Sequence, residues 1–162
     1  MRKYGARIGF SLIELLIVVA IILIIAAIAI PNLLRSRIAS NEASAVASIR
    51  TLNTAEATFV STYNSGFSDT LTRLGAPSSG SANINAADLV DPVLSGATGG
   101  TATSFTKNGY VFTYAPSGTF GFVNTYTITS VPQVRGQTGQ RSFFTDQSVV
   151  VRSKELSSLV GE

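Results

Sequence analysis

The sequence predicts an α+β protein. A long N-terminal helix, apolar in its first half and amphipathic in its second, should pack against a small C-terminal antiparallel sheet of three to four strands. Three observations carry this expectation. Leu15 to Ile30 is an unbroken apolar run close to the N-terminus. Asn32 to Tyr63 holds no Gly or Pro and repeats apolar side chains every three or four residues. Beyond residue 108, aromatic and β-branched residues alternate between turn formers.

The charge is as uneven as the hydropathy. The 162 residues carry 12 Lys+Arg against 9 Asp+Glu, a net +3. Arg2, Lys3 and Arg7 alone account for that excess, so residues 10–162 are neutral. A neutral body gives no support to nucleic-acid binding, whose electrostatic footprint is a basic patch. The chain has no His and no Cys. Thiol and histidine nucleophiles, disulfides and most zinc sites are therefore excluded, and no phosphate-loop or dinucleotide fingerprint occurs. Nothing in the sequence supports an enzyme or a cofactor.

Phe10 to Ile30 is interrupted only by Ser11 and Glu14. As a helix it measures roughly 31 Å, about one hydrocarbon thickness, so it can span a membrane. The basic leader ahead of it should stay cytoplasmic and the body should lie on the far side, although Arg35 and Arg37 weaken that bias. A cleaved signal peptide is the alternative, with Ala27-Ile28-Ala29 as its cleavage site. Its apolar region would be longer than usual and would hold a carboxylate. That carboxylate, Glu14, has two readings. Ser11-Leu12-Ile13-Glu14 has the spacing of a capping box. Equally, an acid within a span can await a positive partner from another chain.

Gly9-Phe10-Ser11-Leu12-Ile13-Glu14-Leu15-Leu16-Ile17-Val18, preceded by the basic leader and followed by the apolar span, resembles the N-terminal motif of type IV pilins and of the pseudopilins of type II secretion systems. The resemblance covers about Arg2 to Tyr63. It implies that a prepilin peptidase cuts between Gly9 and Phe10 and methylates the new amine of Phe10. It implies too that Glu14 pairs with the Phe10 amine of a neighbouring subunit, with a local cap able to coexist. Two opposite charges in a dry bundle cost far less paired than apart. Pro31 should kink the helix rather than end it, because the pattern beyond it stays helical. Similar pilins keep a kinked or unwound stretch near the corresponding Pro.

The expected organisation is a leader over 1–9, a membrane and filament-core helix over 10–31, an amphipathic helix over 32–63, a helix-to-sheet loop over 64–108, and the sheet with its tail over 109–162. Ala45, Ile49, Leu52, Phe59 and Tyr63 form the amphipathic stripe, Glu56 fills its one gap, and Val46 and Val60 widen it. Asn64-Ser65-Gly66 should stop the helix. Leu71 with Leu74, and Leu89-Val90 with Val93-Leu94, should pin the loop to the core. Tyr110 to Tyr114, a turn at Pro116-Ser117-Gly118 and a strand from Phe120 to Ile128 read as a hairpin. Ser142 to Thr145 and Val149 to Arg152 read as further strands. The aromatics of Tyr110 to Phe144 are expected as core and not as a base-stacking platform.

Asp88 and Asp91 are spaced to share a helix face, but solvated turn carboxylates are the commoner use of such residues. Some pseudopilins bind calcium near the C-terminus, which draws attention to Asp146. A lone Asp beside Gln147 falls short of the six to eight oxygens that calcium takes, so no metal is expected. Similar pilins often close a C-terminal loop with a disulfide; this Cys-free chain must hold its loop by packing and hydrogen bonds.

The function implied is a structural subunit of a type IV pilus, polymerised as a helical homopolymer through its N-terminal helix. The precursor would sit in the bacterial inner membrane, among its lipids, with a periplasmic C-terminal domain. The assembled form would be a cell-surface filament. Implied partners are other copies of the chain, the prepilin peptidase/methyltransferase, an assembly ATPase and an inner-membrane platform. Adhesion and twitching motility are family-level expectations. A pseudopilin of type II secretion is the first alternative, and an exported soluble binding domain released at Ala29 the second.

Overall fold

The computed structural model describes residues 10–119 and 122–155. The leader, with Arg2, Lys3, Arg7 and Gly9, lies outside the described residues. The elements run α1 (Leu12–Tyr63), a short 3-10 helix (Leu71–Leu74), β1 (Ser104–Lys107), β2 (Tyr110–Thr119), β3 (Phe122–Pro132), β4 (Arg141–Asp146) and β5 (Arg152–Glu155). The chain divides into two compact units, residues 1–36 and residues 37–162.

In the first unit the described backbone is helical from Leu12 onward, and α1 runs on through Pro31. Pro31 lacks an N–H, so the carbonyl of Ala27 loses its helical donor. One turn on, the Asn32 side chain donates from Nδ2 to the Ile28 carbonyl at 3.0 Å. The large apolar side chains of this unit, from Phe10 to Leu34, are almost all exposed.

In the second unit α1 turns one face inward. Ile38, Ala45, Ile49, Leu52, Ala55 and Phe59 are buried at steps of three, four or seven. All of these but Ile38 join one core with Leu71, Leu74, Val90, Leu94, Phe105, Tyr110, Phe112, Tyr114, Tyr126, Ile128 and Phe143. Burial of one Phe or Leu side chain stabilises by roughly 1.5–3 kcal/mol, so this stripe, and not helix propensity, fixes the helix against the sheet. Asn64 ends α1 with φ 53, a left-handed value that Asn tolerates, and its N–H still bonds the Val60 carbonyl. The loop is pinned as its apolar clusters predict: Leu71, Leu74, Val90 and Leu94 are buried, Leu89 and Val93 partly so.

The sheet is an antiparallel meander in the order β1-β2-β3-β4-β5. It has five strands among the described residues, against the three to four predicted. The extra strand, β1, lies in the stretch read as loop. It is four residues long with one buried side chain, Phe105, too short to show a period. Its hairpin to β2 turns on Asn108-Gly109, at φ 49 and 74, where two positive φ values select Asn-Gly.

Two boundaries also moved. Pro116-Ser117-Gly118 is not the turn: β2 continues through it to Thr119, with a register shift at Ser117/Gly118. β1 pairs β2 only as far as Thr113, so Pro116 sits where that edge of β2 has no strand to donate to, and its missing N–H costs no ladder bond. The last strand begins at Arg152 and not Val149, because Val149 has φ 65 and belongs to the turn after β4. Inward alternation holds for Tyr110, Phe112, Tyr114, Tyr126 and Ile128, all buried, but Phe122, beyond the register shift, is exposed, and Phe120 lies outside the described residues.

Candidate functional site

At its N-terminus α1 presents an apolar surface with a single acid. Phe10 is 81% exposed, and Leu12 to Ile30 present their large side chains outward. An 18-residue window of this helix has mean hydropathy 3.3 and is unburied, which makes it long and apolar enough to cross a membrane. Ser11 caps the helix: its carbonyl accepts from the N–H groups of Glu14 and Leu15 at 3.1 and 3.2 Å. Glu14 reaches back, and its Oε2 accepts from the Ser11 N–H at 2.9 Å. This is the backward half of a capping box, in which a carboxylate in the first turn satisfies an orphan donor and faces the positive end of the helix dipole. Glu14 Oε1 takes no hydrogen bond among the described residues. Phe10 and Glu14 thus lie on the same end of the helix, with half of the carboxylate engaged by its own chain.

The second unit is tied to α1 by three polar clusters that the stripe alone does not announce. Glu42 holds the loop between β3 and β4. Its Oε1 accepts from the Gln140 and Arg141 N–H groups at 3.0 and 3.2 Å, and its Oε2 takes the Arg141 guanidinium from Nε at 2.8 Å and Nη2 at 2.7 Å. Burial pushes this carboxyl upward, but those donors together outweigh it and hold the group below its ordinary value. Asn41 adds a bond from Nδ2 to the Thr138 carbonyl at 3.0 Å. This clamp holds the loop in a chain that has no Cys.

Glu56 is fully buried. It accepts from the Ser68 N–H at 2.9 Å and lies 2.5 Å from the Ser68 hydroxyl. The Tyr114 hydroxyl donates to the Ser68 carbonyl at 2.7 Å. Burial raises the Glu56 carboxyl above its ordinary value, and the Ser68 bonds counter this only in part. Beside it, the Asn53 amide donates to Thr145 Oγ1 at 3.0 Å and accepts from the Tyr126 hydroxyl at 3.1 Å. Burial raises both tyrosines, Tyr114 and Tyr126, with Glu56 adding to each.

The carboxylates considered as ligands are turn residues. Asp88 has φ 54, outside the helical region, so it shares no helix face with Asp91. Asp91 caps the next turn, accepting from the N–H groups of Val93 and Leu94 at 2.9 Å each, and pairs with Lys107 at 3.4 Å. Asp146 accepts from the Ser148 N–H at 2.9 Å and pairs with Arg152 at 3.0 Å, which hold it down at about 2. Among the described residues no group of three or more His, Cys, Asp or Glu could hold a metal ion.

Glu42 escaped the sequence reading, and Glu56 entered it only as a gap in the stripe. The available signal was helical phase: both carboxylates lie on the buried face of α1, where an acid must find donors.

Comparison with known proteins bears on the N-terminal segment. Residues 6–30 match the family model described as the prokaryotic N-terminal methylation motif. Over 53 residues the chain is 51% identical to the type IV major pilin protein PilA of Myxococcus xanthus (strain DK1622). That stretch is 33% of this chain and 24% of the relative, so the match spans about a quarter of the relative's length. No solved structure matches the chain. The family model and the relative both match this chain in its N-terminal segment, and the relative is a type IV major pilin.

Proposed function

We propose that this chain, whose N-terminal segment is similar to that of a type IV major pilin, is a structural subunit of a type IV pilus. The observation that carries the reading is the motif itself: Gly9-Phe10 ahead of Ser11-Leu12-Ile13-Glu14, at the start of an exposed helix that is apolar for one membrane thickness. Before assembly Phe10 to Ile30 anchors the precursor in the inner membrane, with residues beyond the span on the periplasmic side. Prepilin peptidase removes the leader after Gly9 and methylates Phe10. Assembly then exchanges lipid contacts for helix contacts, where Ala20, Ala26, Ala27 and Ala29 permit close approach.

Glu14 is the one acid of that surface, and it pairs with the Phe10 amine of a neighbour. The local cap makes the role cheaper to prepare, because the Ser11 N–H holds Oε2 while Oε1 is left to accept. Pro31 supplies the point at which α1 bends or unwinds on packing into a filament, since the Ala27 carbonyl already lacks its donor there. An assembly ATPase and an inner-membrane platform complete the machinery. The work of this chain is structural, not enzymatic.

Deletion of the coding sequence tests the reading. Loss of surface filaments under electron microscopy, restored on complementation, is the expected result. Intact filaments together with failure to release secreted enzymes would instead assign the chain to a type II secretion pseudopilus.

A further inference from the structure

The Ser68 hydroxyl has one proton and two neighbouring oxygens within reach. Its Oγ lies 2.5 Å from Glu56 Oε1 and 3.3 Å from the Tyr114 phenolic oxygen. Tyr114 does not supply the proton for the second contact, because its own goes to the Ser68 carbonyl at 2.7 Å. Both contacts are hydrogen bonds only when Oε1 is protonated. The relay then runs one way, from the Glu56 carboxyl to Ser68 Oγ, from Ser68 to Tyr114 and from Tyr114 to the Ser68 carbonyl, while Glu56 Oε2 accepts from the Ser68 N–H at 2.9 Å. Every hydroxyl in it has an acceptor.

The surroundings favour that protonated form. Glu56 and Ser68 are fully buried, and among the described residues no cation pairs with Glu56. A buried carboxylate without a counter-charge is strongly unfavourable, and burial accordingly raises this group above its ordinary value. The titratable groups around it offer no compensation. Tyr114 of β2 and Tyr126 of β3 are themselves raised by burial. Asp146 of β4, whose charge acts on Tyr126, is paired with Arg152, and Asp69, next to Ser68, is paired with Arg73.

Apart from Ser68, the connection that leaves α1 is lightly held. It bends at Asn64 and Gly66, with φ 53 and 81. A bridge of Gly66 with Val123, the bond from the Phe67 N–H to the Val123 carbonyl at 2.9 Å and the edge of the Phe67 ring on Tyr126 at 4.8 Å tie it to β3. Ser65 and Phe67 are half-buried and Asp69 is exposed. A segment with so few buried apolar contacts belongs to the low-stability end of a fold, where opening occurs without global unfolding.

We propose that Glu56 is a proton-held latch: while it keeps its proton, residues 64–69 stay closed over it, and loss of the proton opens this connection while the sheet remains folded. Ionisation turns the Ser68 hydroxyl from Tyr114 to Oε1, breaks the relay and leaves a negative charge that only water can satisfy. The closed form holds the proton more tightly than the open one. Opening therefore grows about tenfold for each pH unit between the ordinary value and the raised one, then levels off. The latch is independent of the pilus reading.

Hydrogen exchange of the full-length chain in detergent, read by mass spectrometry, tests the latch against Glu56→Gln. That amide fixes the protonated pattern, since its oxygen accepts from the Ser68 N–H and its nitrogen donates to Ser68 Oγ. Comparing the two chains at the same pH cancels the intrinsic pH dependence of exchange. In peptides covering residues 64–69, the ratio of wild-type to variant exchange should rise about tenfold from about pH 5 to about pH 8, with no change in peptides of β2 to β4. A constant ratio overturns the latch. So does a rise shared by the whole second unit, which is a loss of global stability and not a local opening. Wild-type chain alone gives a second reading that stands whether or not the variant folds. Exchange of residues 64–69 should climb with pH more steeply than that of the exposed residues 78–82; a parallel climb overturns the proposal.

Discussion

Glu56 and Ser68, twelve residues apart, are joined by two hydrogen bonds inside the core: the Ser68 N–H donates to Oε2 at 2.9 Å, and the Ser68 hydroxyl meets Oε1 at 2.5 Å. No part of Glu56 reaches solvent, and none of the four ion pairs of the described residues includes it. The pair fastens the loop after α1 to the helix at the level where Tyr114 of β2 also arrives.

Glu56→Ala should destabilise the protein by about 2–4 kcal/mol, because it strands the buried Ser68 N–H and hydroxyl and opens a cavity. Glu56→Gln keeps the bond from the Ser68 N–H and reverses the one to the Ser68 hydroxyl, and should cost about 1 kcal/mol near pH 5. Urea unfolding in detergent measures both. The pH dependence separates them further. The folded-state value of Glu56 is raised, so its contribution is complete below the ordinary value near 4.5 and is lost as pH rises through the raised value. Glu56→Gln should remove that decline; an unchanged profile would exclude Glu56 as its source.

Glu42 has the opposite sign. Its value is lowered on balance by Gln140 and Arg141 against the push of burial, so its stabilisation is present above the ordinary value and disappears as pH falls through the lowered one. Glu42→Gln should cost about 1.5–3 kcal/mol at neutral pH, the loss of charge-assisted bonds, and almost nothing in acid. Equal destabilisation at neutral pH and at a pH below the lowered value would contradict the clamp.

Gly139 sits against Tyr110: a Cβ there would lie 2.0 Å from the phenolic oxygen, which donates to the Arg141 carbonyl at 2.9 Å. Gly139→Ala must displace a fully buried ring and should cost about 1–3 kcal/mol. Thermal unfolding reads this directly, and a second change, Tyr110→Phe, should recover part of the loss by removing the clashing oxygen.

The parts of the structure legible in the sequence are those with a period. The apolar run, the stripe from Ala45 to Phe59 and the alternation of Tyr110, Phe112 and Tyr114 each repeat long enough to show which face is buried. β1 is too short for that, although Asn108-Gly109 marks its turn. Pro116 misled because a proline stops a central strand, and the sequence does not say that β2 has an open edge there. Val149 misled because its β-branched type fits a strand while Asp146 and Ser148 bend it into a turn. The polar ties of Glu42 to Arg141 and of Glu56 to Ser68 span 99 and 12 residues, and no local pattern pairs them. At the N-terminus the motif itself was legible, because it lies in consecutive residues.

Glu14→Ala should leave processing after Gly9 intact and reduce filament yield by at least tenfold, since the Phe10 amine would then enter the core without its counter-charge. Immunoblots for the processed chain and filament preparations read the two halves separately. Normal filament yield would remove the pairing role and leave Glu14 as a helix cap alone.

The most direct measurement is the mass and N-terminal sequence of the chain recovered from purified surface filaments. A first residue of N-methylated Phe10, as the main component of the filament, is the expected result. A chain beginning at Ile30 and found only in soluble fractions would contradict the filament reading and leave an exported soluble domain in its place.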